Sequence, residues 1–176
     1  IPTHAEARLV LQREHSPEWV CMSLLSPGYS ETTGMNSHIR QELALREWES
    51  FPLVLQVLAN QVEGGRACSI FIPTGARILE HDLMPRVLEV CGLDVIPEID
   101  LYVHGLRDGD TGLPVKRPTL CCSNVPMPHT LRTCPGQEAH PYHRSVRGSL
   151  LDQDVGFWCQ RLVRSLIKDV AAHVTE

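Results

Sequence analysis

Ala67-Cys68-Ser69-Ile70-Phe71-Ile72 (ACSIFI), closed by Pro73, is the stretch that decides the fold. A short run of small and apolar residues, free of charge, reads as a buried strand, and Pro73, which has no N–H to give a ladder, ends it. Just upstream, Val54, Leu55, Leu58 and Val62 recur at helical spacing and stop at Gly64-Gly65, where a helix can close in the left-handed conformation. Upstream again, Trp19 to Leu25 (WVCMSLL) is a second buried run, ending at Ser26-Pro27-Gly28. A strand, a helical stretch and a second strand in that order favour layered α/β structure with a partly parallel central sheet flanked by helices.

Working outward, His38 to Glu49 has a helical pattern, with Ile39, Leu43 and Trp48 roughly on one face. Ser50-Phe51-Pro52 is expected to break it and start a separate helix, Ser50 as cap and Pro52 in the first turn. Ile78 to Cys91 reads as a third amphipathic helix, with Pro85 inside it as a kink and Gly92 after it. In Asp94 to Leu106, Ile99, Leu101 and Val103 alternate with Asp100, Tyr102 and His104, the period of a half-exposed strand. Asp108 to Gly112 (DGDTG) is a turn, lacking the further carboxylates of a calcium loop. Thr119 to Val125 is another strand. Thr130 to Tyr142 is rich in Pro, Gly and His, and a last helix runs from about Asp154 to Val174, with Val155, Trp158, Leu162, Leu166 and Val170 as its stripe. The expectation is one domain over 1–176: an α/β core at 17–125, an irregular segment at 126–153 and a C-terminal helix at 154–174.

Composition fits a single packed domain. Of 176 residues, 43% are apolar but only 5% aromatic, so the core must be mainly aliphatic. The net charge of −5 argues against a large basic nucleic-acid face while leaving room for a local patch. Seven cysteines, an odd number, several in apolar patterns, suit free thiols in a reducing intracellular compartment. The chain begins at Ile1 rather than Met, which keeps an organelle (chloroplast or mitochondrion) reached through a removed targeting segment among the compartments considered. No apolar run approaches the roughly 20 residues of a membrane span.

The order of short motifs resembles the cytosine-5 DNA methyltransferase-like domains found in large polyproteins of algal-type protists, often beside reverse transcriptases. Tyr29-Ser30 stands where that family has Phe-Ser, and Ser69 to Pro73 where a strand ends in Glu-Asn-Pro. Asp100 through His104-Gly105-Leu106, Lys116-Arg117-Pro118-Thr119 with Ser123-Asn124, and Cys134, His140 and His143 fill three later motifs. The likeness covers about 17–173 and implies a truncated Rossmann-type frame. It also implies that the chemistry has gone. The family's Pro-Pro-Cys nucleophile position reads Leu24-Leu25-Ser26, and its Glu-Asn pair reads Phe71-Ile72. Ser26 without a neighbouring base is a poor nucleophile, and Phe71 and Ile72 can neither hydrogen-bond a base nor pass a proton. The half that binds S-adenosylmethionine, normally upstream, has no counterpart in the sequence. The expected function is therefore a non-catalytic, structural or accessory protein–protein interaction subunit of a larger assembly, with no cofactor. The alternatives are a nucleic-acid-binding remnant of a mobile-element protein and one half of an active DNA methyltransferase.

Two further constellations stand out. One of Cys121 or Cys122, with Cys134, His140 and His143, offers the four S/N ligands that zinc takes, although no CxxC is present. Lys116, Arg117, Arg132, Arg144 and Arg147 make the most basic stretch; of these Lys116, Arg117, Arg144 and Arg147 are the candidate nucleic-acid contacts.

Overall fold

The computed structural model of the chain describes residues 16–24, 37–107, 111–116, 118–135, 144–145 and 159–174. Its elements in chain order are β1 (Trp19–Ser23), α1 (Ser37–Glu63), β2 (Ala67–Pro73), a 3-10 turn (Arg77–Glu80), α2 (Met84–Cys91), β3 (Glu98–Asp100), a second 3-10 turn (Leu101–His104), β4 (Val115–Lys116), β5 (Pro118–Ser123), β6 (Arg144–Ser145) and α3 (Gln160–Val174). A four-stranded sheet runs in the order β1-β2-β5-β3. β1 and β2 are parallel, joined across α1, and β5 lies antiparallel to both β2 and β3. The fold is mixed α/β with a partly parallel sheet. β4 and β6 form a separate parallel pair.

β2 is central and buried along nearly its whole length, as its apolar run requires. Its side chains alternate between two cores. Cys68, Ile70 and Ile72, with Met22 and Cys122 from the neighbouring strands, face Phe51, Val54, Val57 and Leu58 of α1 and Met84 and Val87 of α2. Ala67 and Phe71, with Cys121 and Ile99, face Leu162, Leu166 and Val170 of α3 and the 3-10 residues Leu101 and Tyr102. The sheet is thus sandwiched between α1 and α2 on one side and α3 on the other.

The end of α1 is set by two hydrogen bonds, Gly65 N–H to the Val62 carbonyl and Arg66 N–H to the Gln61 carbonyl, each 2.9 Å, with Gly65 at φ 66°. This is the closure that Gly-Gly favours, because a side chain at positive φ is strained. The fully buried Gln61 amide donates to the carbonyls of Pro17 (2.9 Å) and Ala67 (3.1 Å) and accepts from Arg66 Nε (2.9 Å). One side chain thereby ties the end of α1 to the starts of both parallel strands. At the same end of the sheet, Asn124 Oδ1 accepts from Cys68 N–H and its amide donates to Arg66 C=O, while Ser123 Oγ donates to Cys68 C=O.

Several expectations from the sequence need correction. α1 is one continuous helix through Pro52. Pro52 forfeits one intrahelical bond, but Phe51, Val54, Val57 and Leu58 around it are buried, and that packing outweighs a local cost of about 3 kcal/mol. Ile39, expected on the packed face, is about half exposed. Ile78 to Cys91 is not one helix but a 3-10 turn and then α2, with Pro85 in the first turn of α2, where its missing N–H costs nothing. The half-exposed strand expected from the Ile99–His104 alternation is instead the short β3 followed by a 3-10 turn; Ile99, Leu101, Tyr102 and His104 are all buried, so no alternating exposed face exists. α3 starts at Gln160 with Cys159 before it, accepting the first helical bond from Val163 N–H, so Cys159 lies outside the helix. The expected residues 154–158 of that helix lie outside the described residues. Around the expected turn, Arg107 and Pro114 form an antiparallel bridge, while Asp108 to Asp110 lie outside the described residues. Among the described residues, no helix is long and apolar enough to cross a membrane.

Candidate functional site

Asp100, His104, Thr130 and Asp169 form a group of buried polar side chains on the α3 side. Asp169 sits on the inward stripe of α3, three residues after Leu166 and one before Val170, and its side chain is fully buried. Its Oδ1 accepts from the His129 backbone N–H (3.0 Å) and lies 2.7 Å from His129 Nδ1, and its Oδ2 accepts from Thr130 N–H (2.9 Å). His104, at the end of the second 3-10 turn, places Nε2 2.9 Å from the Thr130 carbonyl. Asp100 Oδ2 accepts from Cys134 N–H (2.8 Å), and Asp100 N–H donates to the Arg132 carbonyl (3.0 Å). Three anchors (Asp169, His104 and Asp100) therefore hold the irregular segment 126–135 against the sheet and α3, supplying the partners its backbone cannot find in a ladder.

Burial holds the His104 imidazole below its ordinary pKa, with the nearby Arg132 adding to the effect, and the bond to Thr130 opposes them. Tyr102 is pushed up by burial and by its hydrogen bond to Cys134. Gly105, after the 3-10 turn, has φ 95°, and a Cβ there would lie 3.3 Å from Arg161 Cδ. The absence of a side chain at Gly105 lets Arg161 lie across the turn.

Beside this clamp is a hollow of about 320 Å³, lined by Val103, His104, Pro128, His129 and Ser165 and walled by Arg132, Arg161, Arg164 and Lys168. A second hollow of about 340 Å³ adjoins it, sharing His104 and Arg161 and adding Arg107, Cys159 and Gln160. Among the described residues, no carboxylate lines either hollow. Among the described residues, the ion pairs are Arg46–Glu42, Arg86–Glu89 and His129–Asp169, and none involves the four cations of the first hollow.

The residues singled out in the sequence fall as follows. Phe71 and Ile72 are fully buried in the middle of the sheet, one in each core, and Ser26 lies outside the described residues. Cys122 points into the α1/α2 core and Cys134 packs on the α3 side, so the sheet separates this pair rather than joining it at one centre. Cys121 shares the side of Cys134 but is buried, and burial raises its thiol well above the ordinary range; burial likewise pushes Cys122 up to about 12. His140 and His143 lie outside the described residues, and among the described residues no three ligand-type side chains gather for a metal. All seven cysteines are free thiols. Lys116 is exposed on β4, whose backbone pairs with Arg144–Ser145; Arg117, Arg147 and the Arg144 side chain lie outside the described residues.

Sequence reasoning passed over Asp169, His129, Arg161, Arg164 and Lys168. A signal for each existed. Asp169 is a carboxylate on an otherwise apolar helical stripe, and Arg161, Arg164 and Lys168 follow the i, i+3, i+7 spacing of one helix flank. The chain matches no family model, no curated protein and no solved structure.

Proposed function

We propose that the chain is a non-catalytic module, an accessory subunit of a larger protein assembly, on a truncated Rossmann-type frame resembling the cytosine-5 DNA methyltransferases. The observation that carries this reading is the burial of Phe71 and Ile72, both 0% exposed, where that family has its Glu-Asn pair. Side chains sealed on opposite faces of a central strand cannot meet a flipped base, and apolar atoms there remove the desolvation cost of a buried acid. Residues of two of the shared motifs support the same reading by what they touch. Asp100, His104, Ser123 and Asn124 bond to backbone and hold the fold together. These bonds are structural, and Asp100 Oδ1, without a hydrogen-bond partner among the described residues, is itself buried, which leaves shape and surface as the means of action.

Two measurements test this. Incubation with DNA and methyl-labelled S-adenosylmethionine is expected to give no transfer; incorporation of label would revive the half-enzyme reading. Size fractionation of a native extract is expected to find the chain in a species much larger than 19.7 kDa. Recovery only as a free monomer overturns the accessory role.

A further inference from the structure

We propose that the paired hollows beside α3 bind a ligand carrying consecutive phosphate groups. Anion binding here does not depend on the burial of Phe71 and Ile72 that carries the accessory reading, and either can fail alone.

The first point is charge. A chain with net charge −5 places Arg132, Arg161, Arg164 and Lys168 around one hollow that no carboxylate lines among the described residues. Cations brought together in a concavity reinforce one another's field, and holding them so costs repulsion that an anionic ligand relieves. Asp169, next to Lys168 on α3, is buried, with both its oxygens engaged by His129 and Thr130. It fixes the wall without neutralising the opening.

The second point is geometry. Arg161, Arg164 and Lys168 stand at i, i+3 and i+7, a spread of about 10 Å along the helix axis. Arg132 faces them from the clamped segment, and the second hollow extends the line through Arg161 to Arg107. A row of cations over two adjoining hollows suits several linked anionic groups better than one isolated carboxylate.

The third point is donor chemistry. Guanidinium groups match phosphate oxygens in a bidentate way, and Ser165 adds a hydroxyl to the same hollow. Among the described residues, the two histidines are the aromatic rings that line the hollows, and the guanidinium and ammonium groups outnumber them, which favours recognition of the phosphates themselves. Because the anchors Asp169 and His104 fix both walls, little ordering is left to be done on binding. Consecutive phosphates occur in free polyphosphate-bearing small molecules and in the backbone of a single nucleic-acid strand; both present the same chemistry to this row.

The test is a titration of the full chain with tripolyphosphate, with a fluorescent single-stranded oligothymidylate, and with a short oligoglutamate peptide. Saturable binding of tripolyphosphate or of the oligonucleotide is expected, weakening as salt rises from about 50 to about 200 mM. Which of the two binds more tightly assigns the source. The double substitution Arg164→Ala/Lys168→Ala is expected to weaken binding by about tenfold or more, at two lost charge-assisted contacts. Both residues are exposed, so an unchanged thermal midpoint is expected. Arg86→Ala, on α2 across the sheet and paired with Glu89, should leave affinity unchanged. Absence of binding by both phosphate probes, equal affinity in the double variant, or binding of oligoglutamate alone overturns the proposal, the last pointing to an acidic protein surface instead.

Discussion

On the side of the sheet facing α1 and α2, Met22, Cys68, Ile70, Ile72 and Cys122 meet Phe51, Val54, Val57 and Leu58, and almost every contact is apolar. Even its histidine, His81, lies between Trp48 and Phe51, at ring distances of 4.4 and 4.8 Å. On the α3 side an apolar centre of Phe71, Ile99, Leu162 and Leu166 is bordered by Asp100, His104 and Asp169, each buried and each bonded to segment 126–135. The first face gains its stability from volume and area, which tolerate exchange among apolar residues of similar size. The second depends on particular atoms accepting from particular N–H groups, where losing one partner strands the other. A surface that must keep a defined shape is better built beside the second kind of face, and the cation row stands there.

Three substitutions probe that difference. Phe51→Ala, in the apolar face, is expected to cost the most, about 4 kcal/mol by denaturant unfolding, through lost burial and the cavity left behind. The loss should be much the same at all pH values near neutrality; strong pH dependence would mean that the two faces are not separable. Asp169→Ala is expected to cost about 3 kcal/mol, because it leaves the His129 and Thr130 N–H groups buried or half-buried without their acceptor. Its signature is local: the amides of His129 and Thr130 should exchange with solvent far faster, while those of β2 keep their protection relative to global unfolding. Uniform loss across the sheet would dissolve the contrast.

The smallest effect concerns pH. His104 has a folded pKa below its ordinary value near 6.5, so it stays neutral in the fold while the unfolded chain takes up a proton. Its contribution is fully present above about 6.5 and is lost as pH falls from there toward the folded value. His104→Gln can still donate to the Thr130 carbonyl but does not titrate. The variant is expected to lose less stability than the native chain between about pH 7 and pH 5. Equal slopes would remove His104 from the account.

The two faces were also unequally legible in the sequence. β1, β2 and β5, and the stripe of α3, follow from hydrophobic runs and periodicity, because the same physics that buries those residues writes the pattern. Where the reading slipped, packing overrode a local rule. Pro52 reads as a break, yet the buried residues on either side carry α1 through it. The Ile99–Val103 alternation reads as a half-exposed strand, yet Tyr102 and His104 turn inward because segment 126–135 covers them, which no local pattern reports. The clamp was out of reach for the same reason. Asp169 and Thr130 are 39 positions apart, and His104 and Thr130 are 26. The basic residues were legible as composition but not as a place. Arg132 belongs to the most basic stretch of the sequence, and only the docking of α3 brings it opposite Arg164 and Lys168.

Gln61 has one more consequence. Parallel neighbours have no tight turn between them to dictate which residue sits opposite which, and an offset of a single position would exchange the inward and outward faces of a strand. By gripping the carbonyls of Pro17 and Ala67 together, this amide acts as an alignment gauge: it stands just before the rung where Trp19 meets Ala67, from which every later rung is counted. A glutamate in its place would have no hydrogens to offer those two oxygens, and a leucine would have nothing to offer at all. The length and polarity of one side chain thus help decide which of the two cores Phe71 and Ile72 each enter.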